Sequence, residues 1–226
     1  MSMPFYVAPE QLMRDKSEFA RKNIARGRAL VALTYRDGVL FVAENPSGTL
    51  HKVAEIYDHI AFGGVGRFSE YDQLRQAGVR AADLKGYQYS REDVDARSLA
   101  NSYGQLIGQA FTHDVKPLEV EILVAEVGEE RATDRLYHIF YDGNVVDETR
   151  FSVLPGDSEA IATRMEAAYD ADLELAGALV AGVGALNGED RTLTAEELEV
   201  AVLERGDGRR RSFRRLGEDE IAAALA

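Results

Sequence analysis

Apolar side chains recur with a helical period near the start of the chain and in later stretches, and with a period of two or in short continuous runs between them. From about Glu10 to Arg26, Met13, Ala20 and Ile24 lie close to Leu12 and Phe19 on one face of a spiral, which predicts an amphipathic helix. Pro9 stands at its first turn, where a missing N–H costs nothing, and Gly27 follows its basic last turn as a left-handed cap would. Leu30 to Tyr35 and Val39 to Ala43 are β-runs joined by Arg36-Asp37-Gly38, a tight-hairpin signature. Lys52 to Tyr57 and His59 to Phe62 read as a further strand pair that ends in a flexible run, Gly63-Gly64-Val65-Gly66. Ser69, with Asp72 three positions on, reads as the N-cap of a helix to about Ala77.

A long helix follows, because Leu99, Tyr103, Leu106, Ile107, Ala110 and Phe111 recur at spacings of three and four. Leu118, Val120, Ile122 and Val124 then alternate with Glu119 and Glu121 as in a half-buried strand. Leu136 to Tyr141 turns at Asp142-Gly143 into Val145-Val146, a second hairpin. Two helical stretches, Ser158 to Asp170 and Leu173 to Leu186, precede strands at Leu198 to Leu203 and Arg211 to Leu216, and a short helix starts at Glu218. With neither repeat nor internal linker, this order predicts an α+β fold in which antiparallel sheets are covered by helices, a four-layer α/β/β/α sandwich.

Composition narrows the class. No segment reaches the roughly 18 to 20 apolar residues of a membrane span, and Met-Ser-Met-Pro-Phe-Tyr has no basic flank or long apolar stretch, so the expected location is the cytoplasm. Zero cysteines exclude disulfides, thiolate nucleophiles and thiolate zinc sites. Against 26 basic residues stand 39 acidic ones, a formal charge of −13 that opposes binding to nucleic acid or anionic membrane.

Candidate chemistry is sparse. His51, His59, His113 and His138 lack metal-site spacing, so no metal and no cofactor is expected. There is no Gly-x-Ser-x-Gly elbow, and the scattered serines have no recognisable base partner. The glycine run lacks the Gly-Lys-Ser/Thr of a phosphate loop; it reads either as a strand-to-helix turn or as part of a binding surface. Arg209, Arg210, Arg211, Arg214 and Arg215 read as solvated arginines paired with acids, with Glu218, Asp219 and Glu220 as local candidates.

Several local strings, in this order and spacing, resemble the α subunits of 20S proteasomes, specifically the actinobacterial branch. They are FARKNIARG from Phe19 to Gly27, LHKVAEIYDHIAFGGVG from Leu50 to Gly66, and LEVAVLERG from Leu198 to Gly206. The resemblance implies an N-terminal nucleophile hydrolase sandwich and homo-heptameric α rings capping β-subunit rings. It also implies a proteolytic chamber that unfolded proteins reach through the α-ring pore, and a ring-shaped AAA ATPase that delivers tagged substrates.

It further implies two sites. Residues 1–8 would be a gate segment ahead of a single domain, 9–226, with Ser2, Met3, Pro4, Phe5 and Tyr6 collecting around the ring axis; the alternative is an unstructured terminus. Lys52 falls where the family pairs a lysine with an activator's C-terminal carboxylate, and Gly64 and Val65 match a pair lining that pocket. The first helix is either a ring element or a cover for its own core. No catalytic residue is expected, because this fold's chemistry uses the free amine of a terminal threonine as base, and no Thr stands just ahead of the first core strand. A catalytic relative active after processing and a stand-alone scaffold remain the rival readings.

Overall fold

The computed structural model describes residues 8–155, 158–188, 191–206 and 211–225. Its elements run α1 (Pro9–Ile24), β1 (Leu30–Tyr35), β2 (Gly38–Glu44), β3 (Val53–Tyr57), β4 (Ile60–Gly66), α2 (Phe68–Gln88), α3 (Ala96–His113), β5 (Val120–Glu126), β6 (Arg135–Ile139), β7 (Val145–Glu148), β8 (Phe151–Leu154), α4 (Ser158–Ala168), α5 (Leu175–Asn187), β9 (Leu198–Glu204), β10 (Phe213–Arg215) and α6 (Glu218–Leu225). One five-stranded sheet has the order β10-β9-β2-β1-β8 and the other β3-β4-β5-β6-β7. Neighbouring strands are antiparallel in both.

Three apolar layers separate four structural ones. Leu33, Leu40 and Val42 of the first sheet meet Met165, Leu179 and Val183 of α4 and α5. Leu30, Phe41 and Leu203 face Val53 and Leu123 of the second sheet. Phe62, Ile122 and Val124 meet Tyr71, Leu99 and Tyr103 of α2 and α3. The expected α/β/β/α sandwich is the observed one. Both faces of β1 and β2 are covered, which is why Leu30-Val31-Ala32-Leu33 is a continuous apolar run rather than an alternating one.

Both predicted hairpins form, with Gly38 and Gly143 at positive φ. Other expectations need correction. The glycine run is not a flexible turn but the second half of β4, paired on one side with β3 and on the other with β5. Ser69 is not an N-cap: α2 starts at Phe68 after Arg67, and Asp72 bonds Arg75 and Gln76 instead. The helix also runs well past Ala77. Gly78, just past the expected end, lies inside the helix and leaves room for α3, since a Cβ there would lie 1.8 Å from the Tyr103 hydroxyl, which donates to the Leu74 carbonyl at 3.0 Å.

Gly27 is not among the glycines at positive φ. Its small size serves a close approach, because a Cβ would lie 2.7 Å from Val65 Cγ1. The strand expected to be half-buried is buried at all but its last position, Glu121 included. The strand near the C-terminus is confined to Phe213–Arg215, and Phe151–Leu154 adds an unexpected edge strand to the first sheet. On α1 the buried stripe is Lys16, Ala20 and Ile24, while Leu12 and Phe19 are 46% and 43% exposed.

Candidate functional site

The end of α1 and the start of β1 meet the β3–β4 ladder at one edge of the sandwich. The antiparallel register that pairs Val53 with Gly63 brings Lys52 opposite Gly64, whose N–H donates to the Lys52 carbonyl at 2.9 Å. Lys52 Nζ reaches across to the Arg28 carbonyl at 2.5 Å. The next residue of β4, Val65, turns inward and touches the backbone at Gly27. Lys52, Gly64 and Val65 are therefore gathered around Gly27-Arg28, although only Lys52 of the three is more than slightly open to solvent. Gly64 faces α2, where a Cβ would lie 2.8 Å from Tyr71 Cγ.

A buried carboxylate holds this junction in place. Glu199, at the second position of β9, accepts the N–H groups of Lys52 at 2.8 Å and Val53 at 3.2 Å, and the side-chain amide of Asn45 at 2.7 Å. Arg215 from β10 pairs with it at 3.1 Å, and His51 Nδ1 lies at 3.3 Å. Glu44 forms a second anionic point, gripped by Arg28 at 2.9 Å and Arg191 at 2.8 Å. Burial lowers the Lys52 ammonium to about 8, with Glu44 and Glu199 pulling back upward and Arg28 adding to the fall. One Nζ hydrogen is committed to Arg28, so the cationic form keeps donors for an incoming carboxylate.

The three described arginines of the cluster are paired with acids, of which only Glu220 is one of the expected local partners. Arg211 bonds Glu55, Arg214 bonds Glu204 at 3.0 Å and Glu220 at 2.8 Å, and Arg215 bonds Glu199. The hydrogen bond that Arg214 donates to Glu204, more than any other contact, raises the Arg214 pKa further. Arg209 and Arg210 lie outside the described residues, as do Ser2, Met3, Pro4, Phe5 and Tyr6.

On another flank, a cleft of about 480 Å³ opens between β8, α4 and the edge of the second sheet. At its floor Ser152 of β8 does have a base partner, contrary to expectation: its hydroxyl lies 3.3 Å from His138 Nδ1, and His138 Nε2 lies 3.0 Å from Glu121. All three side chains are buried, and Phe140 stacks on the imidazole at 4.0 Å. This chain of polar groups joins β8 of one sheet to β5 and β6 of the other. Among the described residues no group of three or more His, Asp or Glu side chains could hold a metal ion, and no helix is long and apolar enough to cross a membrane.

The family model described as proteasome subunit matches residues 24–203, from the end of α1 to β9. The chain belongs to the proteasome subunit family. Its similarity to curated relatives extends over the full length. It is 59% identical to the proteasome subunit alpha of Acidimicrobium ferrooxidans, covering all of this chain and 97% of that one. It is 54% identical to that of Actinosynnema mirum, covering all of this chain and 88% of the relative, and 50% identical to that of an Arthrobacter species, covering all of this chain and 99% of the relative. Within the family the similarity is thus to the α type of actinobacteria, and the sandwich is the family's N-terminal nucleophile hydrolase type.

Proposed function

We propose that this chain is a non-catalytic α subunit of a cytoplasmic 20S core particle. Homo-heptameric rings of it cap rings of β subunits, admit unfolded proteins through a gated pore and receive a ring-shaped ATPase. The observation that carries the reading is full-length similarity, at 50% to 59% identity, to proteins named proteasome subunit alpha. The exposed outer face of α1, with Leu12 and Phe19, supports a contact with a second copy of the chain. Residues 1–8 serve as the gate segment and 9–226 as one α-type domain.

The start of β1 supports a role without chemistry of its own. Catalysis in this fold needs a free amine there, whereas Leu30 is joined through Ala29 and Arg28 to a helix anchored on the same domain. Lys52 then acts as the counter-charge for an activator's terminal carboxylate, beside Gly64 and Val65.

Co-expression with the β chain of the same organism tests the assembly. Electron microscopy should show a four-ring particle that hydrolyses short peptides, and Phe19→Glu should block ring formation. A chain that stays monomeric beside its β partner, or N-terminal sequencing that finds a processed threonine, refutes the reading. Deleting residues 2–6 should speed peptide hydrolysis by the assembled particle; an unchanged rate removes the gate.

A further inference from the structure

Lys16 is the one charged side chain on the buried stripe of α1. Its ammonium donates to three main-chain carbonyls at the end of α3: Phe111 at 3.0 Å, Thr112 at 3.4 Å and Asp114 at 2.7 Å. These belong to the last turn and cap of α3, where carbonyls have no partner within the helix and the helix dipole is negative. A lysine from another element therefore caps α3 from outside, and the cap doubles as a mooring for α1.

The rest of α1 is unevenly attached. Its C-terminal half has an apolar foothold, with Ala20 and Ile24 packed against Tyr141 and Phe111. Arg21 reinforces it, donating to the Tyr141 hydroxyl at 2.9 Å and lying 5.6 Å from the ring centroid. Ahead of Lys16 every described residue is exposed except Met13, which is half-buried.

We propose that Lys16 is a positioning residue for pore access: it clamps the N-terminal half of α1 to the end of α3. With the clamp removed, α1 stays attached through Ala20, Arg21 and Ile24 while its first two turns come free. The pore consequence rests on the gate reading above; the clamp itself does not.

Lys16→Met keeps the length and apolar stem but removes the charge and the donors, and Lys16→Arg restores both. Hydrogen exchange of α1 amides, measured on the full α chain alone and in the assembled particle, reads the clamp directly. In Lys16→Met, amides of residues 12–16 should exchange at least about tenfold faster, the scale set by losing hydrogen bonds to a charged group. Those of residues 22–24 should change little, and Lys16→Arg should stay near the parent. In the particle the same Lys16→Met change should speed short-peptide hydrolysis severalfold, with Lys16→Arg again near the parent rate. Unchanged exchange at residues 12–16, or equal acceleration along all of α1, overturns the clamp. Faster exchange with an unchanged peptidase rate keeps the clamp and overturns the gate reading.

Discussion

Replacing Glu199 should damage both the fold and the lysine beside it, in separable amounts. Glu199 is 6% exposed; its carboxylate accepts hydrogen bonds from two backbone N–H groups and an amide and pairs with the Arg215 guanidinium, and the His51 imidazole lies beside it. Glu199→Ala leaves the Lys52 and Val53 N–H groups without their acceptor and strands Arg215, which keeps only the Val53 carbonyl. Breaking a buried charge pair by removing one partner costs about 3–5 kcal/mol. For a chain of this length each kcal/mol is worth roughly 2–4 °C, so the midpoint should fall by about 10 °C. Glu199→Gln retains an acceptor oxygen and should lose only about 1–2 kcal/mol. Urea unfolding of the isolated chain near neutral pH checks both. The gentler variant also removes a charge that holds the Lys52 pKa up, so the ammonium should titrate further below 8, readable by nitrogen NMR of the labelled lysine. An alanine variant within 1 kcal/mol of the parent would show that Glu199 is not the hub, and an unmoved Lys52 would break the electrostatic link.

Other expectations follow from the same geometry. Because the Lys52 ammonium titrates at about 8 and only its cationic form pairs with a carboxylate, an activator-tail peptide should bind with a constant affinity below pH 7. The affinity should fall toward about tenfold per pH unit above pH 9. Calorimetry should show proton uptake on binding near pH 8.5, and Lys52→Ala should abolish both binding and pH dependence; a flat profile in the parent sinks the assignment. Gly64→Ala pushes a methyl against Tyr71 and Phe62 and should cost about 1–3 kcal/mol by overpacking, checked by thermal unfolding. His138→Leu strands the Glu121 carboxylate between the sheets and should destabilise the chain by about 3 kcal/mol, with Ser152→Ala costing about 1 kcal/mol or less. Equal losses would mean that the serine is more than the end of the chain.

Element order and both hairpins were legible because Asp37-Gly38 and Asp142-Gly143 punctuate runs whose period is plain. The misread glycines have a common cause: glycine signals freedom in a sequence but closeness in a packed layer. Gly63, Gly64 and Gly78 look like interruptions, yet each lies where a large side chain from another layer, Leu30, Tyr71 or Tyr103, occupies the missing volume. Lys52 was singled out by family resemblance alone. Its partners lie far along the chain, and no spacing rule connects residue 52 to Glu199 or Arg28. A weaker signal was present in each case: Glu199 interrupts an otherwise apolar strand, and Lys16 shares a helical stripe with Ala20 and Ile24. An ionisable group on a buried stripe needs a partner, and both have one.

The strand orders also say something about synthesis. The second sheet is built from one uninterrupted stretch, β3 to β7, and can close as soon as that stretch has left the ribosome. The first is not: β1 and β2 are made early, but their flanking partners β8 and β9 come much later. At about 5–20 residues per second, the Leu30–Glu44 hairpin waits roughly five to twenty seconds with both edges unpaired, until β8 is made, and roughly eight to thirty seconds before β9 can pair the second edge. During that interval the nascent chain is at its most aggregation-prone, and a holding chaperone that recognises extended apolar strands would find its natural target there.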